Sequence, residues 1–236
     1  MRLEGYEGRT ALVTGAARGI GRRICERFAE QGAAVAGLDL AEPDVPGVLG
    51  VAADVTDPAA LDAAFARAEA ELGPVTVLVL NAGIFIVEPF ESTTLEQWER
   101  TMAVNLTGPF LCAQRALPGM TAAGYGRVLA IGSSAGVNGG ANSCAAYAAS
   151  KAGIMCLAKS IAAEYAGTGV ISNALAPTLI DTPMMGEQPA GMADRIPIGR
   201  LGTADDIADL ATYLCSGHAG YITGEVVDVN GGFLID

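Results

Sequence analysis

Residues 10–21, TALVTGAARGIG, constrain the fold more than any other stretch. A short β-branched run ends on glycine, two further glycines follow, and Ile20, Ile24 and Phe28 recur at four-residue spacing until Gly32. That spacing lays an apolar stripe along a helix over 19–32, whereas the run before it has the length and branching of a strand. The reading is strand, glycine turn, helix, the opening unit of an α/β sheet.

The alternation continues to the end of the chain. AAVAGLDL and GVLGVAADV read as second and third strands, and residues 58–73 as a helix with Asp57 as N-cap and Pro58 in its first position. VTVLVLNAG, fully apolar at its start, fits a parallel strand covered on both faces. A helix near 95–118, the strand GRVLAIGSS, a helix over about 145–166, the strand GVISNALAP, a helix near 204–215 and the strand GEVVDVN follow. Seven strands alternating with helices predict a doubly wound seven-stranded parallel sheet, the Rossmann fold. No repeat, charge run or Ser/Pro-rich linker divides the 236 residues, so a single domain over 1–236 is expected. Right-handed crossovers bring the loops after the strands to one edge of the sheet, where ligand chemistry collects.

Composition narrows the function. With 51% hydrophobic and 17% charged residues the chain is too apolar for disorder, yet no apolar run reaches the roughly 18 residues of a membrane span. The first fifteen residues carry acids and glycines where an export signal needs a basic start and an apolar block, which predicts a cytoplasmic protein. A net charge of -12 without a Lys/Arg cluster argues against nucleic acid. Five scattered cysteines without a CxxC pair, and His218 as the only histidine, predict no disulfide framework, no metal site and no serine-protease triad. His218 reads as a surface or capping residue. Cys144 stands three residues before Tyr147.

In the first turn, Gly15, Gly19 and Gly21 form GxxxGxG, with Arg18 and Ile20 between them. Glycines there let the backbone approach a pyrophosphate whose charge rests on the positive end of the next helix. Asp39 lies 18 residues past Gly21, at the end of the second strand. Its carboxylate suits the adenosine ribose hydroxyls and repels a 2′-phosphate, so NAD(H) is expected over NADP(H), although Arg18 offers a phosphate partner. The Asp54 side chain and the Val55 amide are placed to reach the adenine; Asp54 reads equally well as a cap for the helix after Asp57. In Asn81-Ala82-Gly83 the glycine permits close backbone approach and the amide can tie strand ends together.

Tyr147 and Lys151, in YAASK, lie one turn apart on a helix. A phenol with a pKa of about 10 is a poor base near neutrality, and a neighbouring ammonium, with an oxidised nicotinamide, lowers it. By itself the pair also reads as a solvated helix face.

Taken together, TGxxxGIG (14–21), NAG (81–83), Asn105 in AVNLTG, Ser134 in IGSSAG, YxxxK (147–151) and the late YITGEVVDVNGG resemble the short-chain dehydrogenase/reductase family. The likeness is nearest to its bacterial 3-oxoacyl-carrier-protein-reductase-like branch and runs from about residue 8 to the C-terminus. It implies Tyr147 as general acid/base, and Lys151 as the group that lowers its pKa and holds the nicotinamide ribose. It further implies Ser134 as the donor that orients the substrate oxygen, and Asn105 as the holder of a relay water. Ser134 is preferred to Ser133 because it lies 13 residues before the tyrosine. APTLIDTPMM matches the segment that meets the nicotinamide carboxamide, which assigns Pro177, the Ile180 backbone and the Thr182 hydroxyl to the cofactor. Thr178 stands where the family commonly has glycine, which predicts restricted backbone freedom and an altered pocket. A short substrate lid is expected near 183–199, with Gly186, Pro189 and Gly191. The family's use of the helix near 95–118 and the YAASK helix implies a homotetramer.

The expected function is NAD(H)-dependent interconversion of a secondary alcohol and a ketone. Substrates in view are 3-oxoacyl thioesters, hydroxysteroids, polyols and dihydrodiols. The alternative is a non-catalytic NAD(H) sensor or scaffold, against which Ser134, Tyr147 and Lys151 argue. The candidate pocket residues Ile84, Phe85, Val137, Asn138, Cys144, Met184 and Met185 are mostly apolar, and only Arg195 or Arg200 would bring a cation from the lid. An uncharged or extended acyl substrate is favoured.

Overall fold

The computed structural model describes residues 3–140, 144–186 and 191–235. Its frame is one parallel sheet of seven strands in the order β3-β2-β1-β4-β5-β6-β7. The strands are β1 (Thr10–Thr14), β2 (Ala34–Asp39), β3 (Leu49–Ala52), β4 (Val75–Leu80), β5 (Gly126–Ile131), β6 (Val170–Pro177) and β7 (Val226–Val229). All seven expected strands are present, each shorter than expected by one to five residues. The order reverses between β1 and β4, and at such a switch point the strand-end loops diverge and leave a crevice.

Helices cover both faces. α1 (Gly19–Glu30) and α7 (Ala204–Leu214) pack on one side over Val13, Phe28, Val79 and Ile207. On the other side α2 (Pro58–Leu72), α4 (Gly108–Ala122) and α6 (Ala145–Tyr165) pack over Leu12, Phe65, Leu78 and Ile154. β4 and β5 are buried along their whole length, which explains why only Thr76 and Arg127 interrupt their apolar sequence. Each fully buried Phe, Leu or Ile in these layers contributes about 1.5–3 kcal/mol. Asp57 caps α2 as expected, its Oδ1 accepting from the Ala59 and Ala60 amides at 2.9 and 3.2 Å. Thr203 and Asp206 form a capping box at the start of α7.

The expected single helix near 95–118 is three segments: α3 (Leu95–Met102), a π turn over Ala103–Thr107, and α4. Pro109 has no N–H to give to the Asn105 carbonyl, so the regular ladder breaks there, and the Gly108 amide reaches back five residues to Ala103 instead. A four-residue helix α5 (Ala135–Asn138), not expected from the sequence, follows β5. Among the described residues no helix is long and apolar enough to cross a membrane.

Candidate active site

A cavity of about 390 Å³ opens at the switch point. Gly15, Arg18, Gly19, Ile20, Asp39, Asp54, Val55, Asn81, Ala82, Gly83 and Thr182 all line it. The glycine turn is built for close approach. Gly15 and Gly19 have φ of 69° and 57°, the left-handed region that a side chain disfavours, and a Cβ on Gly21 would collide with the Gly15 carbonyl. Gly21 does not line the cavity itself; it lets α1 sit against the turn. Asn81 locks β1 to β4, donating from Nδ2 to the carbonyls of Thr14 (2.9 Å) and Gly15 (3.0 Å). Thr14 Oγ1 accepts from the amides of Asn81 and Ala82, both at 3.0 Å.

Asp39 braces the turn from the other side. Its Oδ2 accepts from the Ala17 amide at 2.9 Å and its Oδ1 from the Leu40 amide at 2.8 Å. Each oxygen keeps a second lone pair toward the cavity, free for a hydroxyl donor and repulsive to a phosphate. Asp54 does not cap α2. Its Oδ1 closes a local turn on the Thr56 amide and hydroxyl, both at 2.8 Å, at the cavity wall. A pyrophosphate cradle at a helix N-terminus, with a carboxylate at the second strand end, fits a dinucleotide with free ribose hydroxyls.

Beyond the switch point a smaller cavity of about 130 Å³ is lined by Ser133, Tyr147, Lys151, Pro177, Ile180 and Thr182, among others. Tyr147 and Lys151 arise from the first two turns of α6 and face β5. Lys151 is 4% exposed and its Nζ donates to the Ile131 carbonyl at 2.7 Å. Burial lowers its pKa to about 8. Burial also raises the Tyr147 phenol above its ordinary range, and a hydrogen bond with Ser133 only partly offsets this. The expected lowering of the phenol by Lys151 is therefore not the dominant influence here. The ammonium is turned to a carbonyl, 5.7 Å from the centre of the phenol ring.

The structure places Ser133, not the expected Ser134, beside the phenol. Ser133 lines the cavity and meets the phenol. Ser134 is buried at the start of α5, its amide donating to the Pro177 carbonyl at 3.1 Å and its own carbonyl accepting from Val137 and Asn138. The end of β5 fixes which of the two residues points into the cleft, whereas a count back from Tyr147 depends on the length of the intervening loop. Here that count is 147 − 133 = 14 residues.

Asn105 is fully buried, and its side chain is spent on structure. Oδ1 accepts from the Ile84 amide at 2.8 Å, while Nδ2 donates to the Ile84 carbonyl at 2.9 Å and to Ser150 Oγ at 3.0 Å. It stitches the π turn to the NAG loop and to α6. A Cβ on Gly83 would lie 3.3 Å from Asn105 Oδ1 and 3.6 Å from Lys151 Nζ, so the glycine lets the two converge.

Thr178 does not need glycine's freedom: it is absent from the positive-φ residues, and it is the next residue, Leu179, that takes a φ of 50°. Leu179 lines the smaller cavity, so backbone strain sits at the chemical end, a feature without a sequence signal. Thr182 packs against Gly19, which carries the segment across the glycine turn. Met184 and Met185 line the smaller cavity, and the Phe85 ring stands edge-on to Tyr147 with centroids 4.8 Å apart. Val137 is exposed, Asn138 turns back to the Gly140 amide, and Cys144 is buried at the N-cap of α6. Within the expected lid, Pro189 lies outside the described residues. His218 is a surface residue whose Nε2 accepts from the Glu4 amide at 3.4 Å. Among the described residues no group of three or more His, Cys, Asp or Glu is placed to hold a metal ion. Arg100 and Val104 also line the dinucleotide cleft and carry no motif that would have announced them.

A doubly wound sheet with a glycine-turn cleft at its switch point and a Ser-Tyr-Lys cluster at one end defines a dinucleotide-binding oxidoreductase fold. The family described as enoyl-(acyl carrier protein) reductase matches residues 15–234, and the chain belongs to it, within the short-chain dehydrogenases/reductases. The 3-oxoacyl-[acyl-carrier-protein] reductase FabG of Escherichia coli is 38% identical, with 96% of this chain and 98% of that protein covered. The cis-4-hydroxycyclohexanecarboxylate dehydrogenase of Sinomonas cyclohexanicum is 40% identical, with 98% of both covered. The crystal structure of 3-ketoacyl-(acyl-carrier-protein) reductase from Brucella melitensis, complexed with NADH, superposes with a TM-score of 0.92 at 33% identity, covering 98% of this chain and 100% of that one.

Proposed function

We propose that the protein is an NAD(H)-linked oxidoreductase that interconverts a secondary alcohol and a ketone, with Tyr147 as its general acid/base. The observation that carries this reading is the Ser133–Tyr147–Lys151 cluster at the end of a cleft shaped for a dinucleotide. NAD(H), when bound, supplies or accepts the hydride at its nicotinamide. The protein's part is to handle the proton and hold the oxygen.

In the reduction direction Tyr147 delivers its phenolic proton to the carbonyl oxygen, and Ser133 orients that oxygen. A phenol raised by burial stays protonated through neutral pH, as a proton donor must. Lys151 turns from the Ile131 carbonyl toward the nicotinamide ribose. The Asn105 side chain has no spare group for a relay water, so that role falls to its main-chain carbonyl, which Pro109 leaves without a regular helical partner. Pro177, Ile180 and Thr182 hold the carboxamide side. Asp39 selects NAD(H).

A non-catalytic NAD(H) sensor has no use for a hydroxyl pair over a buried lysine. Stopped-flow absorbance at the nicotinamide band with a panel of ketones separates the readings. An enzyme consumes NADH with at least one ketone and loses that turnover in Tyr147→Phe, whereas a sensor binds NADH and consumes none.

We further infer a homotetramer built on α3, α4 and α6, where Trp98 and Phe110 remain 38% and 46% exposed instead of joining the core. A light-scattering mass of one chain would sink this. All five cysteines are free thiols, which suits the reducing cytoplasm.

A further inference from the structure

The cations of the chain are disposed in a way that bears on what the oxidoreductase site takes. The 14 Lys and Arg residues are few, and nearly all are engaged away from the chemistry. Arg200 is bound through two nitrogens to Asp206, at 2.7 and 2.8 Å. Arg195 lies over the Phe233 ring, 5.8 Å from its centre. Arg9 and Arg127 flank the Tyr125 ring, by the opposite edge of the sheet. The arginines of α1, α2 and α4 are paired with carboxylates on outer helix faces. Arg18 and Arg100 line the dinucleotide cleft, with Asp39 and Asp54. Among the described residues Lys151 is the one cation that lines the smaller cavity, and it is buried against the Ile131 carbonyl.

The surfaces beside Tyr147 are apolar. Phe85 is 43% exposed, and its ring meets the phenol at 71° with centroids 4.8 Å apart. Leu179, Met184 and Met185 line the smaller cavity with Tyr147. A ring or chain seated there gains hydrophobic contact, whereas a carboxylate is stripped of water and given no partner.

We propose that the site selects a neutral, apolar secondary alcohol or ketone seated against Phe85, and rejects carboxylated analogues of the same skeleton. The inference rests on the oxidoreductase reading above and separates this chain from the relative whose name specifies a hydroxycyclohexanecarboxylate. Phe85 is its specificity-determining residue. An unpaired charge in such a site costs about a hundred-fold in kcat/KM.

The test is NAD-linked oxidation of cyclohexanol, cis-4-hydroxycyclohexanecarboxylate and its methyl ester, with titration of the NADH-loaded protein by cyclohexanone and by 4-oxocyclohexanecarboxylate. The expected result is that the alcohol and the ester exceed the acid about a hundred-fold in kcat/KM. Phe85→Ala raises KM for cyclohexanol several-fold with a smaller change in kcat, and Phe85→Leu recovers most of the loss. An acid used as well as its ester overturns the inference and leaves the oxidoreductase reading intact. So does a Phe85→Ala variant with unchanged KM. If none of the three alcohols turns over, tighter binding of the oxo-acid than of cyclohexanone, or binding of neither, overturns it as well. A protein that binds no NADH overturns both.

Discussion

Lys151 Nζ donates to the Ile131 carbonyl at 2.7 Å, so the ammonium of α6 is anchored to the last residue of β5, 5.7 Å from the centre of the Tyr147 ring. The arrangement fixes the lysine but buries a charge, and its pKa falls from 10.5 to about 8. A lysine whose folded pKa is lowered opposes folding most where it is charged in both states. The opposition persists below about pH 8 and fades as pH rises toward 10.5, because in that window the unfolded chain binds more protons than the folded one.

Lys151→Met should therefore stabilise the ligand-free protein. The shift corresponds to about 3 kcal/mol, less about 1 kcal/mol for the carbonyl left without its donor. Urea unfolding should show a gain of about 2 kcal/mol at pH 7 that shrinks between pH 8 and 10.5. A variant less stable than the parent at pH 7 would mean that the buried charge is not the dominant cost.

Tyr147→Phe should retain NADH affinity within two-fold and lose about a thousand-fold in kcat. In the parent, the raised phenol predicts that ketone reduction is not limited by Tyr147 ionisation anywhere near neutrality. An alkaline limb should instead appear near pH 8, as Lys151 loses its proton. A pH profile of kcat with saturating NADH checks the first point and one of kcat/KM for NADH, which reads the ligand-free protein, checks the second; a flat kcat/KM profile to pH 10 contradicts it.

The two adjacent serines give a direct test of geometry against spacing. Ser133→Ala should lower kcat about a hundred-fold, the usual cost of losing a donor to a reacting oxygen. Ser134→Ala should keep kcat within two-fold, because its side chain is buried outside the cleft. The reverse order would return the orienting role to Ser134.

Asp39→Ser should narrow the NADH preference by about ten-fold or more in the ratio of kcat/KM for the two cofactors, since the like-charge repulsion of a 2′-phosphate is lost while Arg18 remains. Because Asp39 also holds the Ala17 and Leu40 amides, the serine keeps one acceptor for the turn. An unchanged ratio would assign the preference to another group.

Local patterns made much of this legible in the chain alone. Gly15, Gly19 and Gly21 announced the cleft because each solves a backbone problem that other residues solve poorly, and Asp39 was legible because strand length fixes its place. YAASK was legible because helical geometry follows from spacing. What lay hidden depended on through-space packing. Ser133 prevails over Ser134 through the exit of β5, Arg100 reaches the cleft across the fold, and Leu179 accepts a left-handed conformation with no glycine to mark it. The π turn was implicit in Pro109, but only as a missing donor within an otherwise regular helical pattern.

That extra residue in the turn also resets the helix's phase. Trp98 and Phe110 are twelve positions apart, which on an unbroken α-helix of 3.6 residues per turn would aim them about 120° apart. Absorbing one residue in the wide turn brings them to within about 20°, so both rings ride one stripe while Asn105, between them, is buried against Ile84 and Ser150. Deleting a single residue from 103–107 would remove the wide turn yet keep the two rings within about 20°, whereas rewinding the same residues to regular pitch would set them about 120° apart and split the stripe.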